Sequence, residues 1–444
     1  MSAPAELAHK HAHRRIIHIA VPAIIANSST PLVGLVDTWA IGHLPSAVHL
    51  AAVGLGSVIF NYLFWAFGFL RMGTTGLIAQ AHGQGDAMGL NAEVIRSAAL
   101  GTALGALLIA LQAPILSLSL QWMLPPPDVV PLARTYFEIR IWAAPATLLT
   151  YAIAGVLFGL GRTGSVLAIH LILNVTNAIL NVWFVVGLEM GVQGIALGTL
   201  IAQWLATGAS IWIIIRLRGT RALLAALRES ATWAIGRFRR LLTVNGFLFI
   251  RTIFLMTALA IIMREAAVLG TTEMAASHVV NQYMLLIALG LDGFAHAAEA
   301  LTGKAWGERR VQQFRRWVRL TGLWAAVSSI IYAVLFAIGG DALTELLTDI
   351  THIQLAVSNI MPLVIALPVI SVWCYHFDGV YVGATAAGAM MVTMGIAFAV
   401  YLAILEWMTR QWGLGGLWGA VLVFMAVRGF TQALWYPRLV RQLE

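Results

Sequence analysis

Residues 16 to 42 read "IIHIAVPAIIANSSTPLVGLVDTWAIG", with Asp37 as the one carboxylate and no lysine or arginine. At about 1.5 Å per residue a helix of this length crosses the roughly 30 Å of a bilayer's hydrocarbon. Lys10, Arg14 and Arg15 precede it, as in a signal peptide. The run is too long for one and lacks a small-residue cleavage pattern, so it reads as a mature helix. Comparable runs recur near 50–79, 95–122, 133–158, 163–187, 191–215, 241–263, 276–302, 320–339, 356–383, 386–408 and 413–436. The chain has 444 residues, is 60% hydrophobic and 10% charged, and has a mean hydropathy of +0.85. Those values exclude a soluble globular protein. The expectation is an all-α polytopic membrane protein with twelve transmembrane helices.

A net charge of +8 would admit a nucleic-acid partner, but the basic residues follow membrane topology instead. They crowd alternate loops, from Lys10, Arg14 and Arg15 through Arg216 to Arg240 and on to Arg438 and Arg441. Only Arg134, Arg264 and Arg410 flank the other side. No nucleic-acid partner is expected, and both termini are expected in the cytoplasm. Arg71, Arg140, Arg251 and Arg428 remain inside the apolar runs. The sole cysteine, Cys374, excludes a disulfide within the chain and argues against a cysteine-ligated metal.

The basic stretch Leu217 to Arg240 divides the chain into residues 1–216, a linker at 217–240, and residues 241–444, with six runs on each side. A shift of 222 residues brings Gly68 onto Gly290, Gly85 onto Gly307, Asp86 onto Glu308, Gly191 onto Gly413 and Gly194 onto Gly416. "AQAHGQGD" (79–86) and "LTGKAWGE" (301–308) each close the second run of their half. Two parallel repeats suit a transporter whose bundles rock around a central site.

Ionisable groups at membrane depth cost at least about 2.5–3.5 kcal/mol at a helix centre, so each needs a reason. At about 100° per residue, Asn27, Thr30, Gly34, Asp37 and Thr38 share roughly a third of the first helix's circumference. Pro22 and Pro31 each remove a backbone hydrogen bond from that helix and make it bendable. In the fifth run, "LAIHLILNVTNAILNVWFVVG" (167–187), His170, Asn174, Asn177 and Asn181 share one face. That face is either a hydrophilic pocket or interhelical glue. Thr199 and Gln203 on the sixth run are placed to close it. In "LGLDGFAHAAEALTGK" (289–304), Asp292, His296 and Glu299 share a face, with Arg71 and Arg251 as candidate ion-pair partners. An acid, an imidazole and an acid on one face are a donor set that a divalent metal accepts, but no further ligand of known proximity completes it, and no metal is expected. His9, His11 and His13 read as a solvated tail.

"NSSTPLVGLVDTWAIGHL" (27–44), "FGFLRMGTTGLIAQAHGQGD" (67–86), "LDGFAHAAEALTGKAWG" (291–307) and "WCYHFDGVYVGAT" (373–385) together resemble the DinF-like branch of the multidrug and toxic compound extrusion (MATE) family. The resemblance covers essentially the whole chain. It implies two pseudo-symmetric six-helix lobes around a cavity open alternately to each side. It also implies export of amphipathic or cationic organic compounds, drugs or toxic molecules, in exchange for protons or sodium. The branch's coupling aspartate matches Asp37 and its helix-bending proline matches Pro22. Companion residues match Asn177, Asn181 and Thr199, and a tyrosine of the fourth helix matches Tyr136.

Asn181 stands where relatives commonly carry a second aspartate. A hard cation such as sodium prefers several oxygens and compensating charge, so the proton is the expected coupling ion and sodium the alternative. Coupling then rests on Asp37, or passes to Asp378, Asp292 or Glu299 in the second half, with Arg251 there and Arg71 from the first half completing a charge network. No further cofactor is called for. A membrane enzyme would need paired catalytic aspartates or an HExxH helix, and the chain has neither. The expected protein is thus a monomeric antiporter among membrane lipids in the plasma membrane, the inner membrane of a bacterium. The rival reading is a flippase for lipids or lipid-linked precursors.

Overall fold

The computed structural model describes the backbone of residues 3–42 and 46–444, and the side chains of residues 11–29, 42 and 46–444. Asp37, Thr30, Pro31, Gly34 and Thr38 have side chains outside that set. Among the described residues every regular element is helical, and ten helices are long and apolar enough to span a membrane. The first of these, Ala47–Gln84, is span 2, because Ala3–Gly42 is span 1. Then come span 3 (Ala87–Ala110), span 4 (Val130–Gly159), span 5 (Thr163–Gly187) and span 6 (Gly191–Arg218). Span 7 is Ile235–Leu269, span 8 Thr271–Gly307, span 9 Val311–Leu347 and span 10 Met361–Gly383. The last helix, Ala387–Arg441, is interrupted at Gly413, whose φ of 54° and ψ of −127° are open only to glycine. Its two parts are spans 11 and 12, and the protein is a twelve-helix membrane protein with six spans in each half.

Helices outrun the apolar stretches that announce them. The run at 320–339 belongs to a helix that starts at Val311, and the run at 241–263 to one that starts at Ile235. Hydropathy registers only the hydrocarbon layer, whereas the helix continues into the headgroups on arginines whose stems remain apolar.

The chain forms two compact units, Ile25–Leu242 and Met1–Ile24 with Thr243–Glu444. Span 1 contributes to both, and the change falls between Ile24 and Ile25, just past Pro22. In the first unit, span 4 packs on spans 2 and 3. Gly159 allows this, since a Cβ there would lie 2.7 Å from the Thr75 carbonyl oxygen. In the second unit span 10 packs on span 8 in the same way, and a Cβ on Gly383 would lie 2.8 Å from the Glu299 carbonyl oxygen. Gly155 meets the Arg71 carbonyl as Gly379 meets that of Ala295.

Each of these pairs is separated by 224 residues. So are the left-handed residues Gly85 and Arg309, and Gly161 and Thr385. The repeat is therefore real in three dimensions, with a correction of register. The shift is 224 through spans 2 to 4 and falls to 222 at the left-handed Gly191 and Gly413. Abundant glycine made two neighbouring registers score alike in the sequence, and backbone geometry separates them.

Candidate functional site

Span 5 is an inverted amphipathic helix, polar inside and apolar outside. Asn174, Asn177 and Asn181 are buried, while Val175 and Ile179 are 54% and 61% exposed. Lipid can satisfy an isoleucine but not an amide, so the asparagines turn to protein partners. Asn181 Nδ2 donates to Asn177 Oδ1 at 3.3 Å, and Asn177 Nδ2 donates to Thr199 Oγ1 of span 6 at 3.0 Å. The Thr199 hydroxyl passes its own proton to the Ile195 carbonyl at 3.0 Å. Directly after this ladder the helix widens into a π-helical turn over Trp183–Gly187, a feature common at functional sites.

The amino-terminal half of the same stripe holds span 1. Asn174 Nδ2 donates to Ser29 Oγ at 2.8 Å, and Ser29 Oγ donates to the Ala26 carbonyl at 2.7 Å. His170 Nδ1 lies 3.2 Å from that carbonyl and donates to it. These contacts fall just past Pro22, which is half-buried within span 1. Ser29 escaped the sequence reading although "NSST" marked a polar patch at that level.

Gln203, expected to close this pocket beside Thr199, reaches span 4. Its Nε2 donates to Thr150 Oγ1 at 3.4 Å, and Thr150 shares a 2.9 Å hydrogen bond with Thr207. Tyr136 is fully buried and pairs with Arg140, whose Nη1 donates to its hydroxyl at 2.5 Å. Ser57 Oγ lies 3.3 Å from the same hydroxyl, and the Arg140 guanidinium sits 4.8 Å over the Phe60 ring. The four-residue spacing of Tyr136 and Arg140 is legible in the sequence, which marks Arg140 only as a buried charge.

Asn181 depends on a glycine. A Cβ on Gly198 would collide with its amide oxygen, whereas Gly208, nearly three turns along span 6, has nothing within 4 Å. Gly198→Val is expected to displace Asn181 and destabilise the protein by about 1–3 kcal/mol, in the range of core overpacking. Gly208→Ala should be neutral or slightly stabilising in thermal unfolding. Equal midpoints for the two variants would contradict this packing.

In the second unit, four buried side chains from three spans converge. Asp378 Oδ2 accepts from Arg251 Nη2 in a short contact and from Arg428 Nη2 at 3.0 Å. Its Oδ1 accepts from Gln432 Nε2 at 2.6 Å. The remaining arm of Arg428 points at Met425 Sδ at 3.2 Å, with the guanidinium 5.5 Å over the Phe424 ring. Arg251 thus has its carboxylate on span 10. Of the span 8 acids, Glu299 lies 3.4 Å from His296 Nδ1 on its own helix, and Asp292 is half-buried. Arg71 belongs to the first unit, 5.3 Å over the Phe158 ring. Among the described residues no three His, Cys, Asp or Glu side chains form a metal site.

Two repeats of six membrane helices, each with buried polar side chains linking several spans, define a secondary-transporter architecture rather than an enzyme. The chain belongs to the MatE family, whose model matches residues 22–183 and again 248–408, once in each half. It is 35% identical to DNA damage-inducible protein F of Escherichia coli over 94% of this chain and 91% of that one. It is 25% identical to human Multidrug and toxin extrusion protein 1, covering 97% of this chain and 76% of the relative. Among solved structures, the Vibrio cholerae MATE transporter VcmN superposes with a TM-score of 0.82 at 21% identity over 98% of both chains.

Proposed function

We propose that the protein is a secondary active exporter of amphipathic or cationic organic compounds, driven by proton antiport through Asp37. The carrying observation is the register between spans 1 and 5. Ala26 pairs with His170 and Ser29 with Asn174, so the two helices run parallel at an offset of 144 to 145 residues. Continued along two helices of equal rise, that offset brings residue 37 level with Asn181, the far end of the amide ladder. Eleven residues are about three turns, so residues 26 and 37 share a face. The name of the human relative, Multidrug and toxin extrusion protein 1, agrees with export of foreign compounds. Asp378 is already engaged by two guanidiniums and an amide, which favours Asp37 as the group that exchanges an ion.

A carboxyl among neutral amides and hydroxyls changes its surroundings greatly when it gains or loses a proton. Protonation from outside removes a charge from the stripe, lets span 1 bend at Pro22, and contracts the space for substrate, which leaves outward. Loss of the proton inward resets the helix. Exchange of one proton for one monocation is electroneutral and runs on the pH gradient. A neutral substrate draws also on the voltage, at about 2.3 kcal/mol per charge per 100 mV.

The test is transport of a monocationic dye into proteoliposomes with the pH and sodium gradients imposed separately. A pH gradient alone should drive accumulation and a sodium gradient alone should not. The reverse result would assign the chain to sodium coupling.

A further inference from the structure

The basic linker between spans 6 and 7 is folded, and its surface is divided three ways. Gly219, with φ 82° and ψ 135°, ends span 6, and a nine-residue helix, Thr220–Arg228, begins at once. A 3₁₀ turn at Ser230–Trp233 then leads into span 7 at Ile235. Both ends of the segment are therefore pinned to the ends of membrane spans on one face of the bilayer.

The first side of the helix faces protein. Ala226 is fully buried and Ala222 half-buried, against span 3. Arg96 of span 3, itself fully buried, holds this orientation. Its Nη1 donates to the Thr232 carbonyl at 2.9 Å and its Nη2 to Glu93 Oε1 at 2.5 Å. Thr232 Oγ1 donates to the Ala226 carbonyl at 2.6 Å, closing the turn back on the helix. Arg218 Nε donates to Asn91 Oδ1 at 2.7 Å, and Arg240 Nη2 to Gln80 Oε1 at 3.1 Å.

The second side is apolar and uncovered among the described residues. Leu224 and Leu227 are 44% and 43% exposed, and Trp233 and Ile235 continue the strip at 44% and 88%. The third side carries Arg221 and Arg228, exposed and close together on the helical wheel, opposite Ala226. Arg237 and Arg239 extend it, also exposed, and Glu229 is the one acid between Leu217 and Arg240.

We propose that this segment is an interfacial anchor occupied by anionic phospholipid. The exposed arginines take phosphate oxygens of the headgroups while Leu224, Leu227, Trp233 and Ile235 enter the acyl boundary. Charge complementarity selects an anionic occupant. The apolar strip beside the arginines, at the level where spans begin, selects a lipid rather than a soluble acidic partner, because such side chains are seated at the headgroup and acyl boundary. The lock through Arg96 and Thr232 means that the site is preformed and does not have to be ordered on binding.

Amide hydrogen exchange over residues 220–233 tests this on the full-length protein in nanodiscs. In discs of phosphatidylglycerol, exchange should be at least about threefold slower than in discs of phosphatidylcholine. The quadruple variant Arg221→Gln, Arg228→Gln, Arg237→Gln, Arg239→Gln should lose the difference. Leu224→Ser with Leu227→Ser should lose most of it with the charges intact. Inorganic phosphate added to the phosphatidylcholine discs should not restore protection. Equal rates in the two lipids, an undiminished difference in either variant, or protection by free phosphate would overturn the proposal.

Discussion

Asp378→Ala is expected to destabilise the protein by about 3–5 kcal/mol, the cost of breaking a buried ion pair from one side. Arg251, Arg428 and Asp378 are all at least nine-tenths buried, and both guanidiniums share the single oxygen Oδ2. Removing the carboxylate leaves two like charges side by side with no counter-charge, and strips Gln432 of its 2.6 Å acceptor. Asp378→Asn keeps an oxygen for the donors and should cost less. Replacing the cluster together, as Arg251→Met, Asp378→Leu and Arg428→Met, should recover much of the loss, because well-packed apolar side chains often match a buried ion cluster. Thermal unfolding in a mild detergent reads these differences. A midpoint for Asp378→Ala indistinguishable from that of the parent protein would mean that the cluster contributes nothing to stability.

The second large effect is functional. A transporter that couples one proton to one substrate needs a reciprocal free energy of about 1–3 kcal/mol between the two sites, or roughly 5- to 150-fold in affinity. Substrate affinity of the parent protein should change by that factor across the titration of Asp37. In Asp37→Asn the change should vanish, and with it drug-linked proton release in proteoliposomes, while binding itself persists. Pro22→Ala should keep the linkage but slow turnover, because it restores a backbone hydrogen bond to the helix that bends in the proposed cycle. Intact antiport in Asp37→Asn would refute the proposed coupling.

The spans were legible because hydrocarbon leaves a chain little choice. Backbone polar groups must be satisfied within a helix, and the helix must be apolar over its full crossing, so composition alone exposes it. The stripe on span 5 was legible for a related reason. Spacings of four, three and four put His170, Asn174, Asn177 and Asn181 on one face whatever surrounds the helix. Tyr136 and Arg140 were likewise within reach, four residues apart on span 4.

What those side chains touch was decided elsewhere. Arg251 lies 127 residues from Asp378, and Arg428 lies 50 from it, so no local period could join them. Charge alone offered Arg251 equally to Asp292, Glu299 and Asp378. The same limit hid Ser29 as the partner of Asn174, and hid the turn of Gln203 toward Thr150. It also hid the linker's dock on Arg96, whose counterpart is a backbone carbonyl that every residue carries.

The amino-acid sequence by itself determined the helices, their number, the twofold repetition and the faces that carry polar groups, since these follow from transfer free energy and helical period. Only the tertiary structure decided the pairing of those faces, the two-residue change in repeat register and the capture of the basic linker. Pairing depends on which of many chemically equivalent donors and acceptors close packing brings within hydrogen-bond distance, and that is a property of the assembled helices.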